Sequence, residues 1–197
     1  PSFQKKKHDH ILFELKHSDE NKNYTRLIYN DPRRFGFMSV YKNNSMSYKN
    51  IFINLGPEPL SNGFSANELY IKLRNKSVSI KGALLNQRLV AGLGNIYVCE
   101  ALFLAFMSPT KKASSLSKKK ITSLVCNIKR VLIKAIEVGG STIQNHKNIN
   151  GEIGYFQNYF LVYGREGMHC KNKNCKTTIK RIIQNGRSTF YCPSCQR

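Results

Sequence analysis

No apolar run in this sequence approaches the ~20 residues that a bilayer-spanning helix needs. The longest, residues 101–107, is only as long as a buried helix face. There is no internal repeat and no low-complexity tract, which removes solenoids and tail-like disorder from consideration. The start does not read as a secretory signal either, because Lys5, Lys6 and Lys7 run straight into polar residues. Acidic residues are scarce: 11 Asp and Glu stand against 32 Lys and Arg, a formal net charge of +21 over 197 residues. Such an excess repels itself in a folded chain and is normally met by a polyanion. Nucleic acid and an anionic membrane surface both fit, and a lysine-rich solvated face is the plain alternative. With 41% hydrophobic and 22% charged residues, a core can be buried, and the length suits one ordinary domain or two small ones.

What is present divides into three stretches. Residues 8–42 read as strands at 10–15, 24–29 and 35–41, with a polar turn over 17–23 and an Asp31-Pro32 break. Three strands cannot close a sheet with both faces covered, so residues 1–60 read as part of a β domain whose first seven residues form a loop. Gly56, Pro57, Pro59 and Gly63 then punctuate the chain. Residues 61–158 read as helical. Ser65-Ala66-Asn67-Glu68 is a capping-box pattern that opens a short helix through Leu69 and Leu73. Ser79 can cap a second helix containing Ala83, Leu84 and Leu85. The Ala91-Gly92-Leu93-Gly94-Asn95 turn feeds a third, over residues 96–106. A longer helix over 117–138 carries Leu124, Ile128, Val131, Leu132 and Ala135 at helical spacing, and Gly139-Gly140 stops it. Residues 141–158 read as a polar loop, and 159–163 as a strand leading into the last stretch, residues 159–197.

The six cysteines are unevenly placed. Cys99 and Cys126 lie in helical patterns and read as small buried apolar residues. Cys170, Cys175, Cys192 and Cys195 form two close pairs. With no export signal in view, a reducing compartment is expected, where such pairs favour metal over disulfide. The pattern is Cys170-x4-Cys175, sixteen residues, then Cys192-x2-Cys195. Tetrahedral zinc takes four thiolates from two knuckles. The stretch between them supplies a hairpin, with strands over 178–183 and 187–191 and the favoured Asn185-Gly186 turn. One structural Zn2+ is therefore expected, with no open position for catalysis. From Gly164 onward eight basic residues face one acid, Glu166, which suits phosphate contact.

Several stretches together are specific. They are Lys7-His8-Asp9-His10, Asp31-Pro32-Arg33-Arg34-Phe35-Gly36, Leu55-Gly56-Pro57-Glu58-Pro59-Leu60 and Val90-Ala91-Gly92-Leu93-Gly94-Asn95-Ile96-Tyr97. Gly139-Gly140-Ser141-Thr142, Val162-Tyr163-Gly164-Arg165 and the closing run from Gln184 to Cys192 continue them. In this order they resemble the formamidopyrimidine-DNA glycosylases, bifunctional enzymes of base-excision repair that excise oxidised purines and cut the strand. The resemblance covers nearly the whole chain. It implies an α+β multidomain protein: a partial N-terminal β-sandwich (1–60), a helix-two-turns-helix domain (61–158) and a C-terminal zinc β-hairpin (159–197). It also implies double-stranded DNA with oxidised bases as partner, no membrane, a monomer, and a bacterial cytoplasmic, nucleoid-associated location.

The family opens with a proline followed by glutamate, and its sandwich carries a lysine and an intercalating methionine. Here Pro1 is followed by Ser2 and aligns with a loop, so it is not assigned the nucleophile's role, and the chain reads as a fragment, inactive alone. For the remaining residues the resemblance implies DNA binding. Arg33 fills the gap left by an extruded base, Phe35 wedges into the stack and Arg34 contacts the backbone. Asn95 and Tyr97 sit where a helix N-terminus can hold phosphate, although on the residues alone an ordinary helix start with a buried tyrosine fits as well. His8, Lys81 and Tyr163 match family positions that contact DNA, and Lys76 is a further candidate. Arg187, after the hairpin turn, is expected to contact phosphates at the lesion and to assist elimination. His10 reads as structural. The 144–155 loop matches the segment that closes over the flipped base. Two other readings stay open: a non-catalytic, damage-recognising zinc protein, and the sister enzyme for oxidised pyrimidines.

Overall fold

The chain divides into two compact units, Pro1–Ile51 and Phe52–Arg197. The structure, a computed structural model, describes residues 4–16, 25–42, 52–141 and 154–197. The expected turn over 17–23 and nearly all of the 144–155 loop lie outside the described residues.

In the first unit, β1 (Asp9–Leu15) pairs antiparallel with β2 (Thr25–Asn30), with Leu12 opposite Ile28 and Phe13 opposite Leu27. The third expected strand, over 35–41, is not one. Asp31 captures the chain at that point. Its Oδ1 accepts the N–H groups of Arg33 at 3.1 Å and Arg34 at 2.9 Å, and its Oδ2 accepts that of Gly36 at 2.8 Å. The resulting turn carries Arg34 at φ +54°. No ladder partner flanks residues 37–42 among the described residues, and without one extended backbone is not held as a strand.

In the second unit, three helices start on serines, two of them, at Ser65 and Ser79, as expected. Ser65 accepts the Glu68 N–H ahead of α1 (Ala66–Leu73), Ser79 that of Gly82 ahead of α2 (Ile80–Leu84), and Ser117 that of Lys120 ahead of α4 (Lys118–Glu137). Each side-chain oxygen satisfies a backbone donor that the first turn leaves without an intrahelical acceptor. The third helix, α3 (Asn95–Leu104), starts on Gly94 with no side-chain cap. It ends two residues before the expected 106, because Phe106 turns left-handed at φ +52° and the Met107 N–H reaches back to the Leu102 carbonyl at 2.9 Å. That arrangement closes a helix C-terminus.

A helix that is apolar on all sides must be covered on all sides. Residues 98–103 of α3 are all buried, because two cores meet there. Val98, Ala101 and Leu102 pack with α1, α2 and α4 around Leu73, Leu84, Leu124 and Ile128. Cys99 and Phe103 pack instead with Val162, Ile179, Phe190 and Cys192. On α4 the buried stripe is Ile121, Leu124, Val125, Ile128, Val131 and Ala135. Cys126 lies one step off that stripe and is exposed, which corrects the expectation that it is buried. Gly139 and Gly140, at φ +75° and +85°, end α4 as the sequence suggests.

Residues 159–163 are also not a strand. The N–H groups of Leu161, Val162 and Tyr163 donate to the Glu100 carboxylate at 2.8, 3.0 and 2.8 Å, so they have no need of a neighbouring strand. Beyond them, β3 (Lys180–Gln184) pairs antiparallel with β4 (Arg187–Tyr191). Asn185 and Gly186, at φ +50° and +70°, form the mirror-image turn that matches the strand twist. Among the described residues no helix is long and apolar enough to cross a membrane.

Candidate zinc centre and nucleic-acid interface

The two knuckles meet at the base of the hairpin. The Sγ atoms of Cys170, Cys175, Cys192 and Cys195 all lie within 4.8 Å of one another. Cys170 to Cys195 is 3.9 Å and Cys175 to Cys192 is 3.6 Å. Four thiolates at the usual zinc–sulfur length of ~2.3 Å in a tetrahedron stand about 3.8 Å apart, so the donor set fits zinc. Asn172 adds the outer support such sites use: its backbone N–H reaches Cys170 Sγ and its Nδ2 reaches Cys195 Sγ, each at 3.5 Å. Burial pushes the Cys170 thiol up to about 12, while the Thr177 backbone N–H draws Cys175 down to about 6. A divalent cation is the group that holds all four as thiolates. The site is one structural zinc with no open coordination position.

The hairpin is tied to the helices by polar contacts. Gln196 accepts the Cys192 N–H at 2.8 Å and donates to the Met107 carbonyl at 2.9 Å. Near the hairpin tip, two donors from different helices converge on one carbonyl. Asn95 Nδ2 reaches Ser188 O at 2.9 Å and Lys81 Nζ reaches it at 3.2 Å. Lys81 is fully buried and its ammonium also donates to Thr189 Oγ1 at 2.6 Å. Burial holds the Lys81 ammonium below the ordinary lysine range, and the positive charge of Arg187 adds to that. The Asn95 Oδ1 atom is buried without a partner. Ser188 directly follows Arg187, so this junction fixes the exposed Arg187 at the start of β4. Arg187, Asn185, Lys76 and Gly82 line one cavity of about 390 Å3.

Tyr97 is half-buried, with its hydroxyl 3.5 Å from Ser141 Oγ and its ring 5.6 Å from that of Phe156. Tyr163 sits at the seam of the two cores, edge-on to Phe160 and Phe190 at 5.5 and 4.9 Å. The second unit thus brings Lys76, Lys81, Asn95 and Arg187 together around the hairpin tip, while Tyr97 and Tyr163 stand against the aromatic packing behind it.

The first unit gathers His8, Arg33, Arg34 and Phe35 around Asp31. The Asp31 N–H donates to the His8 carbonyl at 3.1 Å. The Arg33 guanidinium lies 4.9 Å from the centroid of the Phe35 ring, which is 79% exposed. The pair is a cation–π contact on an otherwise exposed ring. The Gly36 N–H, foremost, holds the Asp31 carboxyl below its usual range. His10 donates through Nε2 to the Asp31 carbonyl at 3.0 Å and packs near Tyr29, a structural role.

Sequence reasoning missed three organising residues. Glu100 is the single acid within an apolar helix, which is itself a signal of a buried acceptor. Asp31 carries a turn signal but not its three N–H contacts. Gln87, whose Oε1 accepts the Gly92 N–H at 2.8 Å, braces the turn ahead of α3 and has no sequence signature.

A helix-two-turns-helix body clamped to a four-cysteine zinc hairpin defines a class of DNA-repair folds. Residues 55–147 match the formamidopyrimidine-DNA glycosylase H2TH domain, and residues 173–197 match the zinc finger found in FPG and IleRS. The chain is 48% identical over 191 residues to the formamidopyrimidine-DNA glycosylase of Roseobacter denitrificans, covering 97% of this chain and 65% of that one. To that of Rhodopseudomonas palustris (strain HaA2) it is 46% identical, covering 100% and 67%. The structure resembles the MutM (FPG) protein of Thermus thermophilus, with TM-score 0.84, 34% identity and coverage of 98% and 70%. It also resembles Lactococcus lactis Fpg in complex with DNA containing an abasic site, with TM-score 0.84, 36% identity and coverage of 99% and 68%. The chain belongs to the formamidopyrimidine-DNA glycosylase family and spans about two thirds of the length of these relatives.

Proposed function

We propose that this chain is the DNA-gripping portion of a base-excision repair glycosylase that removes oxidised purines, formamidopyrimidine and 8-oxoguanine, and cuts the strand by elimination. The observation that carries this reading is the convergence of Lys81 and Asn95 on the Ser188 carbonyl. Two helices thereby hold the hairpin so that Arg187 and Lys76 share one cavity. Arg187 contacts phosphates at the lesion and assists elimination. Lys81, being buried, acts on DNA through the hairpin it holds. The uncapped N-terminus of α3, with Asn95 and Tyr97, receives a backbone phosphate, since its free N–H groups and dipole favour an anion. Tyr163 supports the same face. Arg33 fills the space of the extruded base, Phe35 wedges into the stack, and Arg34 and His8 contact the backbone. Extrusion costs a few kcal/mol, least for a damaged base, and these contacts offset it. The protein acts as a monomer on duplex DNA at the nucleoid.

The reaction itself requires an amine that attacks the sugar and forms an imine with it; the Lys81 amine is buried and committed to the Ser188 carbonyl and Thr189 Oγ1, and this reading gives the attack to neither Lys81 nor Lys76. Residues 1–197 alone are therefore expected to bind lesion duplex without releasing the base or forming a borohydride-trapped adduct. The full-length protein should nick duplexes bearing 8-oxoguanine faster than those bearing thymine glycol. The reverse order would point to the oxidised-pyrimidine enzyme. Binding without nicking by the full-length protein would point to a non-catalytic damage binder.

A further inference from the structure

The second unit carries another cavity, about 770 Å3 in volume, none of whose lining residues is among those assigned to DNA. That volume is within the range of ordinary ligand clefts, roughly 300–1,000 Å3. Its floor is apolar: Leu104 of α3, Val131 and Ile133 of α4, and Phe156 and Leu161 from the segment that follows. Its rim is cationic. Lys129, Arg130 and Lys134 line it from α4, with Arg130 and Lys134 one turn apart along one row and Lys129 and Ile133 along the next. The two acids that line the cavity are both engaged. Glu137 is ion-paired to Lys134 at 3.3 Å, and the Glu100 carboxylate accepts three backbone N–H groups. The surface is open: Ile133 and Tyr159 are each 48% exposed, and the Lys134 ammonium stands 5.2 Å from the Tyr159 ring centroid.

Duplex phosphates answer the rim but have nothing to place on the floor, and a basic partner is repelled by the rim. An amphipathic segment with carboxylates on one side and aromatic or leucine anchors on the other answers both. We propose that this groove docks an acidic amphipathic segment of a partner protein, with its anchors on Ile133 and Tyr159 and its carboxylates against Lys129 and Arg130. The surface would let the protein hold a partner while duplex DNA occupies the hairpin face.

The test uses the full-length protein and a fluorescein-labelled peptide rich in Asp and Glu with Phe and Leu one helical turn apart. Fluorescence anisotropy should show saturable binding that survives saturation with lesion duplex. Replacing the anchors by Ser, or making Ile133→Asp in the protein, should each weaken it roughly tenfold. The double variant Lys129→Glu, Arg130→Glu should weaken it by a similar factor. All these protein variants should keep DNA affinity within about twofold, which also shows that they fold. Equal binding of the anchorless peptide would overturn the proposal in favour of unspecific charge attraction. Full displacement by duplex would place the peptide on the DNA face, and a concentration-dependent dimer blocking the groove would make a second copy its occupant. Either result would contradict the inference.

Discussion

The two units treat their apolar residues in opposite ways. In Pro1–Ile51 the paired strands leave Ile11, Leu12, Phe13, Leu15, Leu27 and Ile28 exposed at 36–56%. In Phe52–Arg197, Ile80, Leu84, Val98, Leu102, Ile121, Leu124 and Ile128 are fully buried. Among the described residues the two-stranded ribbon has no layer to bury its side chains against, whereas helices α1 to α4 and the hairpin enclose two cores. Within residues 1–197 the apolar burial lies in the second unit; a ribbon read as part of a β-sandwich is expected to bury such side chains against further strands. The first unit contributes a displayed set of groups, Arg33, Arg34 and Phe35, built on the Asp31 turn.

The contrast can be broken in several places. The largest effect should follow loss of zinc. Structural zinc sites contribute about 10 kcal/mol or more of apparent binding free energy to the segments they fold. Cys192→Ser or chelation should therefore release one zinc ion per chain, as read by metal analysis, and collapse β3 and β4 in hydrogen exchange. Acidification should do the same, since the thiolates must be deprotonated to hold the ion. Retention of hairpin protection without zinc would contradict this.

Glu100→Ala comes next. It leaves three N–H groups without their acceptor in a site where Glu100 is 2% exposed. A buried unsatisfied donor costs about 1–3 kcal/mol, so denaturant unfolding should show a loss of about 3 kcal/mol or more. A loss under about 1 kcal/mol would mean that water replaces the carboxylate. By contrast, Ile11→Ser or Leu27→Ser in the first unit should change the unfolding of the second by no more than about 0.5 kcal/mol, as ordinary exposed substitutions do. A larger effect would tie the ribbon to the main core.

The smallest effect concerns Lys81. Its folded pKa lies below the ordinary lysine value, chiefly through burial. Between the depressed folded value and the ordinary unfolded one, the unfolded chain binds more protons, so stability rises with pH across that alkaline window. Lys81→Met should flatten the rise in denaturant midpoints measured across it. An unchanged slope would show that Lys81 is not the group responsible.

Much of this was legible in the sequence because its causes are local. Ser65 and Ser79 cap helices through contacts three residues away, and the Asn185-Gly186 turn dictates its own φ angles. The cysteine spacing brought four sulfurs together because a hairpin of that length returns the chain on itself. Two of the failures depended on distant partners and one on a single helical step. Residues 159–163 look like a strand until Glu100, some sixty residues earlier, takes their N–H groups. Residues 35–41 carry the aromatic and β-branched content of a strand, but pairing needs a neighbour. Cys126 follows an apolar Val and lies just off the buried stripe, a difference of one helical step. At the candidate site, the identities of Lys81, Asn95 and Arg187 were readable, but the meeting of Lys81 and Asn95 at the Ser188 carbonyl, beside Arg187, required the fold.

The account rests on a cationic face whose hairpin tip grips the DNA backbone, and its most direct test is the salt dependence of affinity for lesion duplex, measured for the full-length protein and for Arg187→Ala. Each neutralised phosphate contributes about −0.9 to the slope of log K against log salt. The account predicts a steep slope for the wild type, shallower by about 1 in the variant, with the far-ultraviolet spectrum unchanged. A flat wild-type slope, or identical slopes for the two proteins, would contradict it.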